Sequence, residues 1–233
     1  MSSSPVSQKV APPRAFRLVE VAAVVLCVGF DALLAIEIVR GSPHGAPSAL
    51  SIVGLVVAGY LAADFLTGLV HFIGDSFGTV DTPVLGRTFV LPFRSHHDDP
   101  GDICAHDFVE TNGNNAFATL FVLVPTVLYV PVREGGGALA FGLFVLVASL
   151  LLMLTNQIHK WAHVAKPPRV VRFLQRAGVL LSPETHRSHH APPYGRGYCV
   201  TSGIFNRLLD PLGFFPFLER VIRAVLFLPR RTS

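Results

Sequence analysis

Charge is scarce in this chain. Asp, Glu, Lys and Arg make up 15% of its 233 residues, while 51% are hydrophobic. A soluble domain carries about 25% charged residues, so an ordinary soluble globule is excluded, and so much apolar side chain excludes disorder over most of the length. Cysteine is scarcer still. Cys27, Cys104 and Cys199 are odd in number, far apart and without a Cys-x-x-Cys pair. That removes a disulfide scaffold, thiolate zinc sites and an iron–sulfur cluster held within the chain. The two Met residues give thioether–copper chemistry little to use. Several motifs are missing as well. There is no His-Glu-x-x-His for a zinc protease and no Walker or dinucleotide glycine run.

What remains is an all-α integral membrane protein. Four apolar runs approach the roughly 20 residues that a span needs: 18–39, 48–73, 116–132 and 138–158. The first is interrupted by Glu20, Asp31 and Glu37, the second by Asp64, and the third holds Pro125. Residues 1–13, rich in Ser and Pro, are expected to be a disordered tail, and 14–233 the membrane domain. Four spans would place both termini and the 74–115 segment on one side. From residue 160 onward there are 12 Lys/Arg against 3 Asp/Glu, which marks that side as cytoplasmic. This basic segment is also rich in Phe and Leu, so a membrane surface is its partner and not nucleic acid. Residues 205–226, with Arg207, Arg220 and Arg223 interleaved, read as helices lying in the membrane interface. The expectation is therefore a multi-pass protein, of the bacterial inner membrane or of the endoplasmic reticulum in a eukaryote, with a histidine-rich cap facing the cytoplasm.

Histidine is the abundant exception. Nine of the 10 His lie between positions 71 and 190, and this topology would gather them at one face. They fall into clusters: His71 with Asp75, the pair His96-His97, His106, the pair His159 and His163, and the run His186, His189, His190. On a helix, positions i, i+3 and i+4 share a face. His71 with Asp75, and His159 with His163, can each grip one ion. His186, His189 and His190 can present three nitrogens in one turn, started by Pro183. Adjacent His96 and His97 diverge by about 100° on a helix and can serve two metals. Nine histidines and one Asp exceed what a four-ligand zinc site takes, whereas a centre of two iron ions uses them and keeps open positions for dioxygen. His106 stands between ligand and helix cap. His159 and His163 alone would equally suit a bis-His haem pair, and lone His44 reads as solvated.

Asp64 lies two helical turns before His71, and an acid at that depth needs a partner. It is expected either to accept from a ligating imidazole or to make a structural hydrogen bond near Tyr60.

These residues carry a resemblance. Asp64-Phe65, Gly68-Leu69-Val70-His71, Asp75, then Pro92-Phe93-Arg94-Ser95-His96-His97, then the run from His106 to Asn115, resemble the Kua family of lipid desaturases (plasmanylethanolamine desaturase, CarF-like). The runs Thr155–His163 and His186–His190 match its two histidine boxes. The resemblance covers about residues 50–225. It implies an iron-dependent, O2-using oxidoreductase that forms the vinyl-ether double bond of plasmalogens in a 1-O-alkyl phospholipid. Asn112 and Asn156, beside Asp64, are expected as hydrogen-bonding support behind the ligands, and Lys160, Arg187 or Arg196 either as contacts to the headgroup phosphate or, equally, as ordinary surface anchors. Ser95 stands where the family has Glu, which bears on substrate preference and not on the metal. A desaturase or hydroxylase of phospholipid acyl chains shares the same ligands, and a non-enzymatic haem or metal protein is the reading from a different class. Desaturation removes two electrons from substrate while O2 reduction to water takes four. An external donor of cytochrome b5 or ferredoxin type must supply the difference, with Arg169, Arg172 and Arg176 as its candidate docking patch or, alternatively, a lipid anchor.

Overall fold

The computed structural model describes residues 14–192 and 194–229. The expected tail, 1–13, lies outside the described residues. Among these there is no strand. Nine α-helices follow one another: α1 (Arg14–Gly41), α2 (Ala49–Ser76), α3 (Leu91–Asp98), α4 (Phe108–Tyr129), α5 (Gly136–His163), α6 (Arg169–Arg176), α7 (Pro183–Arg187), α8 (Asn206–Leu209) and α9 (Phe214–Val225).

By length and composition, three helices can cross a membrane: α1 continued to His44, α2 and α5. At 28 residues, α2 and α5 are each ~42 Å long. The third expected span is part of α4. This helix starts at Phe108, earlier than the apolar run, because Asp107 caps it by accepting the Glu110 N–H at 2.9 Å. Its first two turns, with Glu110, Thr111, Asn112, Asn114 and Asn115, are polar. Beyond them it packs along α1 and α5, and Phe121, Val122 and Leu128 face outward.

The apolar core of the bundle is a seam of Ala23, Cys27 and Leu34 from α1, Ala116 and Leu123 from α4, and Leu139, Val145 and Met153 from α5. Acids inside the first helix have partners, as low-dielectric surroundings demand. The buried Asp31 carboxylate accepts from Ser149 of α5, and Arg17 approaches buried Glu20 at 3.5 Å. Glu37 pairs with Arg133 and Arg40.

The C-terminal segment wraps back onto the end of the bundle. Leu181 and Val200 join Ile158, Ala162 and Val171 in a second core, while Tyr198, Leu209 and Phe215 close on Phe72 of α2 in a third. Both α2 and α5 end in this region, and there the histidines gather.

Candidate metal centre

Each cluster reaches the site by its own local route. His71 and Asp75 are one turn apart on the last turns of α2, and His159 and His163 one turn apart at the end of α5. Helix α3 is seated across the end of α2 by close packing. A Cβ on Gly74 would stand 2.5 Å from the Phe93 ring, and Arg94 donates to the Gly78 carbonyl at 2.9 Å. Pro183 opens α7, and Ser182 caps it by accepting the Thr185 N–H at 3.2 Å. The helix ends at Arg187, and His189 and His190 follow in a turn.

The donors sort into two adjoining groups. One holds His96, His159, His163, His186 and His190; the other holds His71, Asp75, His97 and His189. In each, one ligand atom per residue lies within 4.8 Å of all the others. Tertiary packing thus separates neighbours. His96 joins the first group and His97 the second, in keeping with their divergence on a helix. The run from His186 to His190 does not act as one unit, because the chain turns after Arg187. His186 and His190 go to the five-histidine group, while His189 crosses to His71 and Asp75.

The arrangement fits bound metal. In the first group, His159 Nε2 lies 2.7 Å from His186 Nε2 and 3.2 Å from His163 Nε2, and His190 Nε2 lies 2.9 Å from His186 Nε2. Each nitrogen of a neutral imidazole offers either one N–H or one lone pair, so the Nε2 atoms of His159 and His186, each facing two others, cannot make all three contacts as full hydrogen bonds. Nitrogens that share one ion at about 2 Å approach one another in this way. In the second group, Asp75 Oδ2 lies 3.0 Å from His97 Nε2, 3.3 Å from His189 Nε2 and 3.5 Å from His71 Nε2. Among the described residues, His71 Nε2, His189 Nε2, Asp75 Oδ1 and His96 Nε2 are buried without a hydrogen-bond partner, a cost that coordination removes. Burial, reinforced by neighbouring imidazoles, pushes His96 down to about 2 and His190 to about 3, and lowers His186 far below the usual histidine range. These rings are therefore neutral at physiological pH, the state in which imidazole binds a metal.

Other expected site residues lie elsewhere. His106 belongs to neither group. Its ring faces Asp102 at 3.1 Å and Glu110 at 3.7 Å, and its carbonyl accepts from Lys160. Asp64 touches no imidazole. Fully buried, it accepts the N–H groups of Ser202 at 2.7 Å, Gly203 at 3.0 Å and Phe205 at 3.1 Å. It is thus solvated by main chain from the far end of the sequence, and Tyr60 donates instead to the Val179 carbonyl at 2.7 Å. Asn112 ties α4 to α5 by accepting the Gln157 N–H at 3.0 Å. Asn156 is half-buried on α5, three residues before His159. Of the basic residues expected at a headgroup, Lys160 is half-buried and committed to His106, while Arg187 and Arg196 are exposed.

Sequence reasoning missed the residues behind the second group. His71 Nδ1 meets the Tyr198 carbonyl at 3.2 Å and His189 Nδ1 the Arg196 carbonyl at 2.9 Å. Carbonyl acceptors leave no trace in side-chain patterns; Asn206 and Asp210 are among the polar residues that interrupt the apolar stretch nearby.

Helices long and apolar enough to cross a membrane, with two imidazole-rich groups that could hold metal side by side at one end, are the frame of a membrane protein built to bind metal. Comparison with known proteins narrows the class. The family model described as a lipid desaturase domain matches residues 60–232, and the chain belongs to that oxidoreductase family. It is 42% identical to the plasmanylethanolamine desaturase of Myxococcus xanthus over 93% of this chain and 76% of that protein. It is 41% identical to plasmanylethanolamine desaturase 1 of Mus musculus, over 73% of this chain and 64% of the relative. With the chloroplastic fatty acid desaturase 4 of Arabidopsis thaliana the identity is 37%, over 70% of this chain and 49% of that protein. No solved structure shows a significant match to the chain.

Proposed function

We propose that this protein introduces the vinyl-ether double bond into the alkyl chain of a 1-O-alkyl phospholipid such as plasmanylethanolamine. The observation that carries the reading is the pair of adjoining donor groups, in a chain 42% identical to a protein of that name. The ligands proposed are the nine residues of the two groups, with an iron ion in each; His106 is left out of the set. Bound there, iron would supply O2 activation and removal of the two hydrogens, chemistry that no side chain offers an unactivated C–H bond. The balance is one alkyl ether, one O2, two electrons and two protons giving one vinyl ether and two waters.

The protein's own residues hold the site. Asp75 brings a negative charge to within hydrogen-bond distance of His97 and close to His71 and His189, offsetting the charge of a bound cation. The carbonyls of Arg196 and Tyr198 orient two of the rings. The rings of Phe93, centred 5.2 Å from that of His71, and of Tyr194, centred 5.0 Å from that of His97, pack against the second group.

For the membrane setting, we take residues 14–233 as one domain with four spans, α4 being the third. Its outward Phe121 and Leu128 support this. Both termini and the metal groups then face the cytoplasm, with α6 and α9 in the interface, and a bacterial inner membrane is the natural location. The two outside electrons come from a cytochrome b5 or ferredoxin-type carrier.

Lipid analysis of a strain lacking plasmalogens, complemented by this chain, tests the function. The expected product is a 1-O-alkyl lipid lighter by two hydrogens and cleaved by mild acid. The similarity to an Arabidopsis fatty acid desaturase favours a second reading, desaturation of an acyl chain, in which the mass loss falls on the ester-linked chain. Gain of one oxygen mass would mean a hydroxylase.

A further inference from the structure

The main chain of Arg196-Gly197-Tyr198 lies behind the four-donor group. Its two outer carbonyls face His189 Nδ1 at 2.9 Å and His71 Nδ1 at 3.2 Å. A carbonyl only accepts, so both rings carry their proton on Nδ1 and keep the Nε2 lone pair for the site. One strap of three residues therefore sets the tautomer and orientation of two ligands.

The strap is itself held. Gly197 N–H, between the two carbonyls, donates to both oxygens of the Asp210 carboxylate at 3.2 and 3.1 Å. Gly197 has φ +76°, and a Cβ there would stand 3.0 Å from His189 Cβ, so only glycine fits without strain. Next along, the buried Asn206 side chain brackets Cys199, accepting its N–H at 2.9 Å and donating to its carbonyl at 2.8 Å. Among the described residues, the five-histidine group has no equivalent backing at His186 and His190, whose Nδ1 atoms are buried without a hydrogen-bond partner there.

We propose that Asp210 is a positioning residue for the ion of the four-donor group alone. By holding Gly197 it keeps the Arg196 and Tyr198 carbonyls against His189 and His71, and so slows release of that ion without affecting the other. This rests on the two-metal reading but not on the identity of the lipid.

The test counts metal instead of turnover. The full chain in detergent is loaded anaerobically with ferrous iron, and the iron is withdrawn with a chelator. The wild-type protein should hold two irons per chain; fewer would overturn the two-metal reading and this inference with it. Asp210→Ala should release one iron about 10 to 100 times faster, the usual effect of losing support behind a ligand, and the other at the wild-type rate. In a background with both His163→Ala and His190→Ala, which leaves three of the five histidines and is expected to lose that group's ion, the accelerated phase should persist. Asp210→Asn, whose amide oxygen still accepts one N–H, should fall between, and it carries the test if the alanine variant does not fold. Release of both irons at wild-type rates, or acceleration of both by one factor, would overturn the inference.

Discussion

His96 and His97 are consecutive residues of α3 that belong to different donor groups. The His96 ring lies 4.5 Å from that of His159 in the five-histidine group, while His97 Nε2 meets Asp75 Oδ2 at 3.0 Å in the other. Alanine at either position should remove one iron per chain, not both. Turnover should fall by at least about 100-fold, more than the loss of supporting contacts costs. His106→Ala should leave the iron count at the wild-type level, because His106 faces Asp102 and Glu110. Metal analysis of the three purified variants checks this.

Asp64 fastens the C-terminal segment to α2 through three N–H groups. Asp64→Ala leaves all three buried without an acceptor and should cost about 3 kcal/mol or more, since hydrogen bonds to a charged group are worth roughly 1.5–3 kcal/mol each. Asp64→Asn retains an acceptor and should cost less. Thermal unfolding in detergent measures both, and equal stability of the alanine variant and wild type would contradict the tether.

Burial holds His96 down to about 2 and His190 to about 3. In the unfolded chain they return to about 6.5. Below that value the unfolded state binds more protons than the folded state, so stability falls as pH falls. The metal-free protein should therefore keep its full stability above about pH 6.5 and lose it progressively toward acid. Unfolding temperatures across about pH 5 to 7.5 check the sign; a rise toward acid would contradict it.

Arg169, Arg172 and Arg176 are exposed along one side of α6, opposite buried Val171 and Gln175. If an acidic carrier docks there, replacing all three with Glu should slow carrier-dependent turnover at low salt and flatten its salt dependence, because steering between opposite charges is screened by ions. Unchanged turnover with loss of binding to anionic vesicles would assign the face to lipid. Repeated turnover with NAD(P)H and O2 alone would remove the need for a carrier.

The sequence by itself determined the membrane character of the chain and the helices around residues 18–39, 48–73 and 138–158. It also determined that His71 with Asp75, and His159 with His163, share a helix face, because each of these features is written in hydropathy and helical spacing within one segment. Only the tertiary structure decided how the pairs combine. His189 leaves His186 and His190 to join Asp75, and Asp64 finds its partners at Ser202, Gly203 and Phe205. His106 falls outside both groups, and two backbone carbonyls orient His71 and His189. The physical reason is that a helix fixes which side chains share its own face, whereas coordination joins atoms from several elements. Where α2, α3, α5 and the turn after α7 bring those faces together depends on packing between segments far apart in the chain, and main-chain acceptors have no signature in residue type.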